Sequence, residues 1–268
     1  MVYYTYCIGY RAPPERTPTM PKFFARLSKI SLLHYFKLIF RSLLLITATV
    51  LYITHRLQDS YEPFGELERK PAILGVIWIF FVVGMILRFF PSDNESMGCQ
   101  KQFKKNFIPT ETPRVKLNSA RSTFAVAAAW LLLNGIIGAL YYTDIIDEGI
   151  LLLICLFYSV CDMICILFFC PFQTWFMKNK CCGSCRIYNW DYAMMFTPLV
   201  FLRSIYTWSL LGIALLLLLF WEVSVRLHPE RFSETTNACL SCSHCKEKLC
   251  HHKKQLRYFL KKNHFLRK

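Results

Sequence analysis

The sequence is poor in charged side chains and lacks the short motifs of several large enzyme classes. Only 18% of its 268 residues are charged and 54% are hydrophobic, a balance that is unusual for a soluble domain of this length. The chain contains no G-x-S-x-G, H-E-x-x-H, P-loop or G-x-G-x-x-G sequence. The sequence therefore gives no support for a serine hydrolase, a zinc protease, a nucleotide-driven enzyme or a dinucleotide-binding Rossmann domain. Whether the protein is an enzyme stays open.

Five long apolar segments predict an all-α, polytopic membrane bundle. A helix needs roughly 20 apolar residues to cross a bilayer core about 30 Å thick. The first segment contains Arg41, which we expect to reach the lipid headgroups from a position near the helix end. The predicted spans are 38–54, 71–90, 122–142, 149–170 and 194–221.

These spans divide the chain into three parts. Residues 1–37 form a basic N-terminal arm, and the stretch 25–43 has the pattern of an amphipathic helix on the membrane surface. Residues 38–221 form the bundle, including a cysteine-rich loop at 171–192, and residues 222–268 form a basic tail rich in cysteine and histidine. The net charge of +15 lies mainly outside the spans, where it favours anionic lipid headgroups over nucleic acid as partners.

The distribution of lysine and arginine predicts which side of the membrane each loop occupies. Segments 1–41, 88–121 and 226–268 contain seven, seven and eleven of these residues, whereas 143–148 contains none. Cytoplasmic loops carry the excess, so the N-terminus is predicted to lie inside, in a cytoplasmic or inner membrane. Five crossings would place the tail outside. Pro198 interrupts the last segment, however, and a broken or re-entrant element there would return the tail to the cytoplasm, which we favour.

The thirteen cysteines are strongly clustered, and eleven of them follow residue 154. Two clusters flank the last apolar segment: one ends in "CCGSC", and the other has the spacing C-x2-C-x2-C-x4-C. In the reducing cytosol such clusters are more often metal ligands or catalytic groups than disulfides. The predicted ligands are Cys170, Cys181, Cys182, Cys185, Cys239, Cys242, Cys245 and Cys250.

The spacing leaves three states of these cysteines open. Two short knuckles, 182–185 and 242–245, fit a tetrahedral zinc site that would staple the tail to the loop. The first three tail cysteines have the spacing of three ligands of a [4Fe–4S] cluster, although Cys250 follows one residue later than in that pattern. Cysteines without metal, whether acylated or disulfide-bonded, are the third alternative.

A second group of polar and sulfur-containing side chains lies within the fourth span. At about 100° per residue, its members fall on one stripe roughly 120° wide. They are Cys155, Tyr158, Cys161, Asp162 and Cys165. A carboxylate inside a membrane usually faces the bundle interior with a partner, and we expect Arg203, at a similar depth, to pair with Asp162. This pair either fixes helix packing as a buried salt bridge or belongs to an ion path or cofactor pocket.

The sequence thus predicts an integral membrane protein with a cysteine-ligated metal centre at its cytoplasmic face. The first hypothesis is iron–sulfur electron transfer from a redox partner protein to a membrane partner. One alternative is a non-catalytic membrane protein with a structural zinc site. The other is a metal-ion or thiol transporter that uses the polar face of the fourth span.

Overall fold

The structure is a computed structural model that describes residues 29–57, 71–91, 97–111, 114–117, 119–177 and 183–241. It is 78% helical and contains no strand within these ranges, so the predicted all-α membrane bundle is confirmed. The α-helices of this part of the chain are α1 (Lys29–Leu57), α2 (Pro71–Ile86), α3 (Met97–Gln100), α4 (Ala120–Tyr142), α5 (Glu148–Leu167), α6 (Asp191–Phe196) and α7 (Ile205–Leu227).

Four of these helices are long and apolar enough to cross a membrane. They supply the candidate spans Ser31–Thr54, Ala120–Tyr142, Glu148–Leu167 and Ile205–Leu227. The remaining predicted span, 71–90, corresponds to a shorter apolar helix, Leu74–Ile86, which is roughly 20 Å long at the α-helical rise. The outer faces carry exposed side chains such as Phe36, Leu132 and Leu216, as expected where helices meet lipid.

Helix α1 runs without a break from Lys29 to Leu57. The predicted surface helix and the first span are therefore parts of one helix, and residue 38 does not mark a structural boundary. Its Arg41 is 2% exposed, so the expectation that this side chain reaches the headgroups is wrong. The helix lies antiparallel to α5, since Tyr35 packs on Phe168 whereas Tyr52 bonds to Asp147.

The predicted break in the last apolar segment is present. The chain forms the short helix α6, then a 3₁₀ turn at Thr197–Phe201, and becomes extended at Leu202 before α7 begins. Pro198 lies near the start of that turn, where its missing N–H costs no helical hydrogen bond. The segment begins beside Arg88, after the end of α2, and finishes at Phe201 against the C-terminal end of α4. Helix α7 then returns, so the last long helix is Ile205–Leu227 rather than 194–221.

Three stretches of chain meet at the end of the bundle where α5 and α7 finish, and we call residues 97–111, 183–190 and 228–241 the cap. The amide of Ala238 donates to the carbonyl of Ile108 at 2.9 Å, and Gln102 donates to the carbonyl of Gly183 at 2.9 Å. Ser184 also donates to Glu234 at 2.6 Å. The beginning of the tail therefore lies at the same end of the bundle as the loop after α5.

Candidate functional site

A cavity of about 130 Å³ lies between α4, α5, α6 and the chain that follows α5. Its walls include the rings of Trp130 and Tyr158, whose centroids are 4.7 Å apart, and two carboxylates, Asp162 and Asp191. Sulfur is unusually abundant for so small a space. The sulfur-containing side chains are Cys161, Cys165, Cys170, Cys185, Met194 and Met195.

The helical repeat explains why α5 contributes so many of these groups. Cys161 and Asp162 follow Tyr158 by three and four residues and precede Cys165 by four and three, so the four side chains share one face, as the sequence predicts, and all four line the cavity. The fifth member of the predicted stripe, Cys155, is buried away from the cavity and donates to the carbonyl of Met195 at 3.0 Å.

Two cysteines come together where α5 ends. The helix finishes at Leu167, and the following turn brings Cys170 back so that the thiol of Cys165 is hydrogen-bonded to it. The amide of Gln173 donates to the Cys170 sulfur at 3.4 Å. The C-terminal end of a helix carries a partial negative charge, which favours a cation beside this dithiol.

The carboxylate of Asp162 is paired with Arg41 from α1. The two groups are 2.9 Å apart, and the side chain of Asp162 is 13% exposed. The same guanidinium nitrogen donates to the carbonyl of Ser159 at 2.9 Å, and the guanidinium lies 5.5 Å from the centroid of the Phe81 ring. Arg41 is therefore held in place by contacts with two other helices, α5 and α2.

The prediction that Arg203 pairs with Asp162 is wrong. Arg203 is exposed and lies near Tyr141, which is hydrogen-bonded to Glu148 at the first turn of α5. Asp162 is fourteen residues further along that helix, or about 21 Å at the α-helical rise. The broken segment carries the chain to the far end of the bundle before Arg203, which is why depth counted from the sequence is misleading.

A second buried ion pair borders the cavity at its cap side. Arg88 lies 2.5 Å from Asp191, and its guanidinium sits 4.8 Å from the centroid of the Tyr192 ring. Asp191 lies outside the four candidate spans, where burial raises the pKa of its carboxyl to about 6 although the charge of Arg88 opposes the shift. Both carboxylates of the cavity thus have an arginine partner.

The predicted metal ligands separate into two places. Cys170 and Cys185 line the cavity, and both are thiols. Cys239 is disulfide-bonded, and its sulfur lies 3.0 Å from the carbonyl oxygen of Asn106 in the cap. A disulfide sulfur is not a thiolate ligand, which counts against the role predicted for Cys239. The other predicted ligands, which lie outside the described residues, are Cys181, Cys182, Cys242, Cys245 and Cys250.

Within the described ranges, no three histidine, cysteine, aspartate or glutamate side chains are grouped so that they could hold a metal ion together. The predicted iron–sulfur or zinc centre therefore stays a prediction. The sequence interpretation also missed the contributions of Trp130, Met194 and Met195 to the cavity. Nothing in their spacing distinguishes them from ordinary core residues, because the broken segment alone brings the methionines to α5.

Comparisons with known proteins do not identify this site. The chain matches no protein-family model, and no curated protein or solved structure is significantly similar to it. Its function has to be inferred from the chemistry of the cavity.

Proposed function

We propose that the protein is a membrane transporter for a soft metal ion of the Cu(I) class, which binds in the cavity between Cys165 and Cys170. The observation that carries the proposal is the contact between these two thiols on the wall of a cavity beside the membrane-spanning helices. It corresponds to the transporter hypothesis drawn from the polar face of the fourth span.

The size of the cavity favours an ion over an organic cofactor. Its volume of about 130 Å³ equals that of roughly four water molecules in the liquid. Sites for larger organic ligands measure about 300 to 1,000 Å³, so a quinone or haem would need extensive rearrangement. An ion with a few waters fits the space as it stands.

The chemistry of the walls favours a soft ion. Thiolate and thioether sulfur selects soft ions such as Cu(I), whereas carboxylate oxygen suits harder ions. The oxygen ligands of this cavity, Asp162 and Asp191, are both engaged by arginines. Sulfur remains, with the two thiols of Cys165 and Cys170 in contact and the thioether of Met194 on the same wall.

Loading the ion releases protons. One Cu(I) ion and the two thiols give a bis-thiolate complex of net charge −1 and two protons, which pass to water. Affinity should therefore increase with pH, as for other thiolate sites. The C-terminal dipole of α5 opposes the extra negative charge of the complex but favours the approach of the cation.

We further propose that the cap lies on the cytoplasmic side. Two of the three segments richest in lysine and arginine, 88–121 and 226–268, extend from helices that end at the cap, and the segment 143–148 at the far end has none of these residues. The disulfide at Cys239 is unusual for that side, since cytosolic thiols are normally reduced. A reporter that is active on only one side of the membrane, fused after Ser241, decides whether the cap is cytoplasmic, as the charges indicate, or external, as the disulfide indicates.

The binding claim is tested by titrating the purified full-length protein with Cu(I) in the presence of a competing chelator. The C165S and C170S variants are each expected to lose one equivalent of bound Cu(I). The matched control is C155S, because Cys155 lies on the same helix but outside the cavity, and its serine hydroxyl can still donate to the Met195 carbonyl. Equal loss in all three variants, or in none, would overturn the assignment.

The transport claim needs a separate assay. Proteoliposomes containing the wild-type protein should take up Ag(I), a redox-stable substitute for Cu(I), faster than proteoliposomes containing C165S. The iron content of the same preparation tests the competing hypothesis: brown protein with bound iron and inorganic sulfide would favour the iron–sulfur centre on the tail cysteines.

A further inference from the structure

We propose that Arg41 determines the metal specificity of the cavity by keeping the carboxylate of Asp162 away from the ion. This inference rests on the proposed function and names the residue that makes the site a sulfur-only site. Arg41 is a positioning residue in this scheme, since it acts through Asp162 and does not touch the ion.

Asp162 is well placed to become a ligand. It precedes Cys165 by three residues on α5, so the two side chains are neighbours on one helix face, and both line the cavity. The carboxylate instead accepts a hydrogen bond from Arg41 at 2.9 Å. Arg41 comes from a different helix and is 2% exposed, so solvent does not compete for this bond.

Because the candidate ions differ in coordination number, this arrangement should favour one of them over the others. Zn²⁺ takes four ligands in proteins, or three protein ligands and a water in an open site. Cu(I) and Ag(I), which are larger d¹⁰ monovalent ions, are satisfied by two thiolates. With Asp162 held by Arg41, the dithiol offers two strong ligands. No three histidine, cysteine or acidic side chains are grouped closely enough to hold a metal in the described part of the chain, so a zinc site requires the carboxylate of Asp162 to leave Arg41 and turn toward the two sulfurs.

Removing Arg41 should therefore create a zinc site. Without its partner, the carboxylate of Asp162 is left in a low-dielectric environment, where a nearby cation is strongly favoured. The thiolates of Cys165 and Cys170, the released carboxylate and one water then complete four ligands for Zn²⁺. Ag(I) needs no carboxylate, so its affinity should change little.

The experiment measures Ag(I) and Zn²⁺ affinities by chelator competition on detergent-solubilised full-length protein. R41M is expected to bind Zn²⁺ at least tenfold more tightly than the wild type, with the Ag(I) affinity unchanged within about threefold. The double variant R41M/D162N should lose the gain in Zn²⁺ affinity and keep the Ag(I) affinity. R203M is the matched control, because Arg203 is exposed and distant from the cavity.

The outcomes separate this inference from the proposed function. If C165S binds Ag(I) as the wild type does, the proposed function itself is wrong. If Ag(I) binding depends on Cys165 but R41M leaves the Zn²⁺ affinity unchanged, only the role of Arg41 is overturned. If R41M does not fold, the double variant R41M/D162N provides the test, since it removes both charges together. A loss of Ag(I) binding in that variant would contradict the inference that the pair acts only by keeping the carboxylate of Asp162 away from the ion.

Discussion

Arg41 and Asp162 are 121 residues apart in the chain, yet their side chains meet at 2.9 Å and join helix α1 to helix α5. Helix α1 is otherwise largely exposed on its outer face, with Leu32, Ile39 and Ile46 all more than half exposed. In lipid there is no hydrophobic force between helices, so polar contacts of this kind carry much of the association. The ion pair therefore joins α1 to α5, together with the Tyr35–Phe168 and Tyr52–Asp147 contacts, and in the proposed scheme it also keeps the carboxylate of Asp162 from binding the ion.

The first prediction concerns the stability of this attachment. D162N should lower the free energy of unfolding by about 3 kcal/mol, because it leaves the buried guanidinium of Arg41 without a counter-charge. The measurement is thermal unfolding in detergent, followed by the loss of monodisperse protein. R203Q removes an exposed charge and should have almost no effect on stability. An equal loss of stability in D162N and R203Q would show that the Arg41–Asp162 pair stabilises the fold no more than an exposed charge does.

Helix α5 shows how much of the candidate site could be predicted from the sequence. Tyr158, Cys161, Asp162 and Cys165 were predicted to share a face, and they line one cavity, because the period of a helix is a local property. The partner of Asp162 is not local. Arg41 and Arg203 both interrupt apolar segments, and the choice between them depends on which helix packs against α5, which neither periodicity nor charge reveals.

The cysteine pair illustrates the same limit. Cys165 and Cys170 are separated by five residues, a spacing that places them on different sides of a continuous helix. They meet because α5 ends at Leu167 and the chain turns at residues 168–170, before the short π-helix at Phe172–Phe176 begins. The break near Pro198, by contrast, was predictable, since a proline inside an apolar segment has a direct physical effect on the backbone.

The second prediction tests the packing of the broken segment against α4. A Cβ atom added to Gly138 would overlap the ring of Phe201, whereas one added to Gly135 would meet nothing within 4 Å. G138A should destabilise the bundle by about 1 to 3 kcal/mol through overpacking. G135A, on the same helix, should be neutral or slightly stabilising, because alanine is the better helix former.

Rescue provides the control for this prediction. F201L removes the ring that meets the new methyl group, so G138A/F201L should be more stable than the sum of the two single changes predicts. Thermal unfolding of the four proteins gives the coupling energy. Strict additivity would mean that the segment Thr197–Phe201 does not pack against α4 as described.

The third prediction concerns the cap. Asn237 is fully buried; its amide nitrogen donates to the carbonyls of Lys101 and Arg231 at 3.0 and 2.8 Å, and its oxygen accepts from the amide of Cys239 at 3.1 Å. N237A leaves these backbone groups without their partner, at a cost of about 3 kcal/mol. Hydrogen exchange at the amide of Ala238, which bonds to Ile108, should become faster.

The exposed residue Lys104, in the same cap, gives the comparison. K104A should leave exchange at Ala238 unchanged. If N237A also leaves exchange at Ala238 unchanged, the side chain of Asn237 does not anchor the tail to the segment 97–111. The position of the cap relative to the bundle would then have to be revised.

The fourth prediction concerns the oxidation state of the cysteines. Alkylation of the unfolded protein without reductant should modify Cys155 and Cys161, which are thiols, but not Cys239, which is disulfide-bonded. Alkylation after reduction should modify all three. Peptide mass spectrometry distinguishes the states, and modification of Cys239 before reduction would restore it as a candidate thiolate ligand.

The most direct test of the central claim is the X-ray absorption spectrum of Cu(I) bound to the full-length chain in which the loop and tail cysteines that do not line the cavity are replaced by serine. The replaced residues are Cys181, Cys182, Cys239, Cys242, Cys245 and Cys250. We predict one Cu(I) ion with two sulfur ligands and no carboxylate oxygen, and no bound copper when Cys165 is also replaced. Failure of this protein to bind Cu(I), or coordination dominated by oxygen or nitrogen, would contradict the proposal that Cys165 and Cys170 form a metal site.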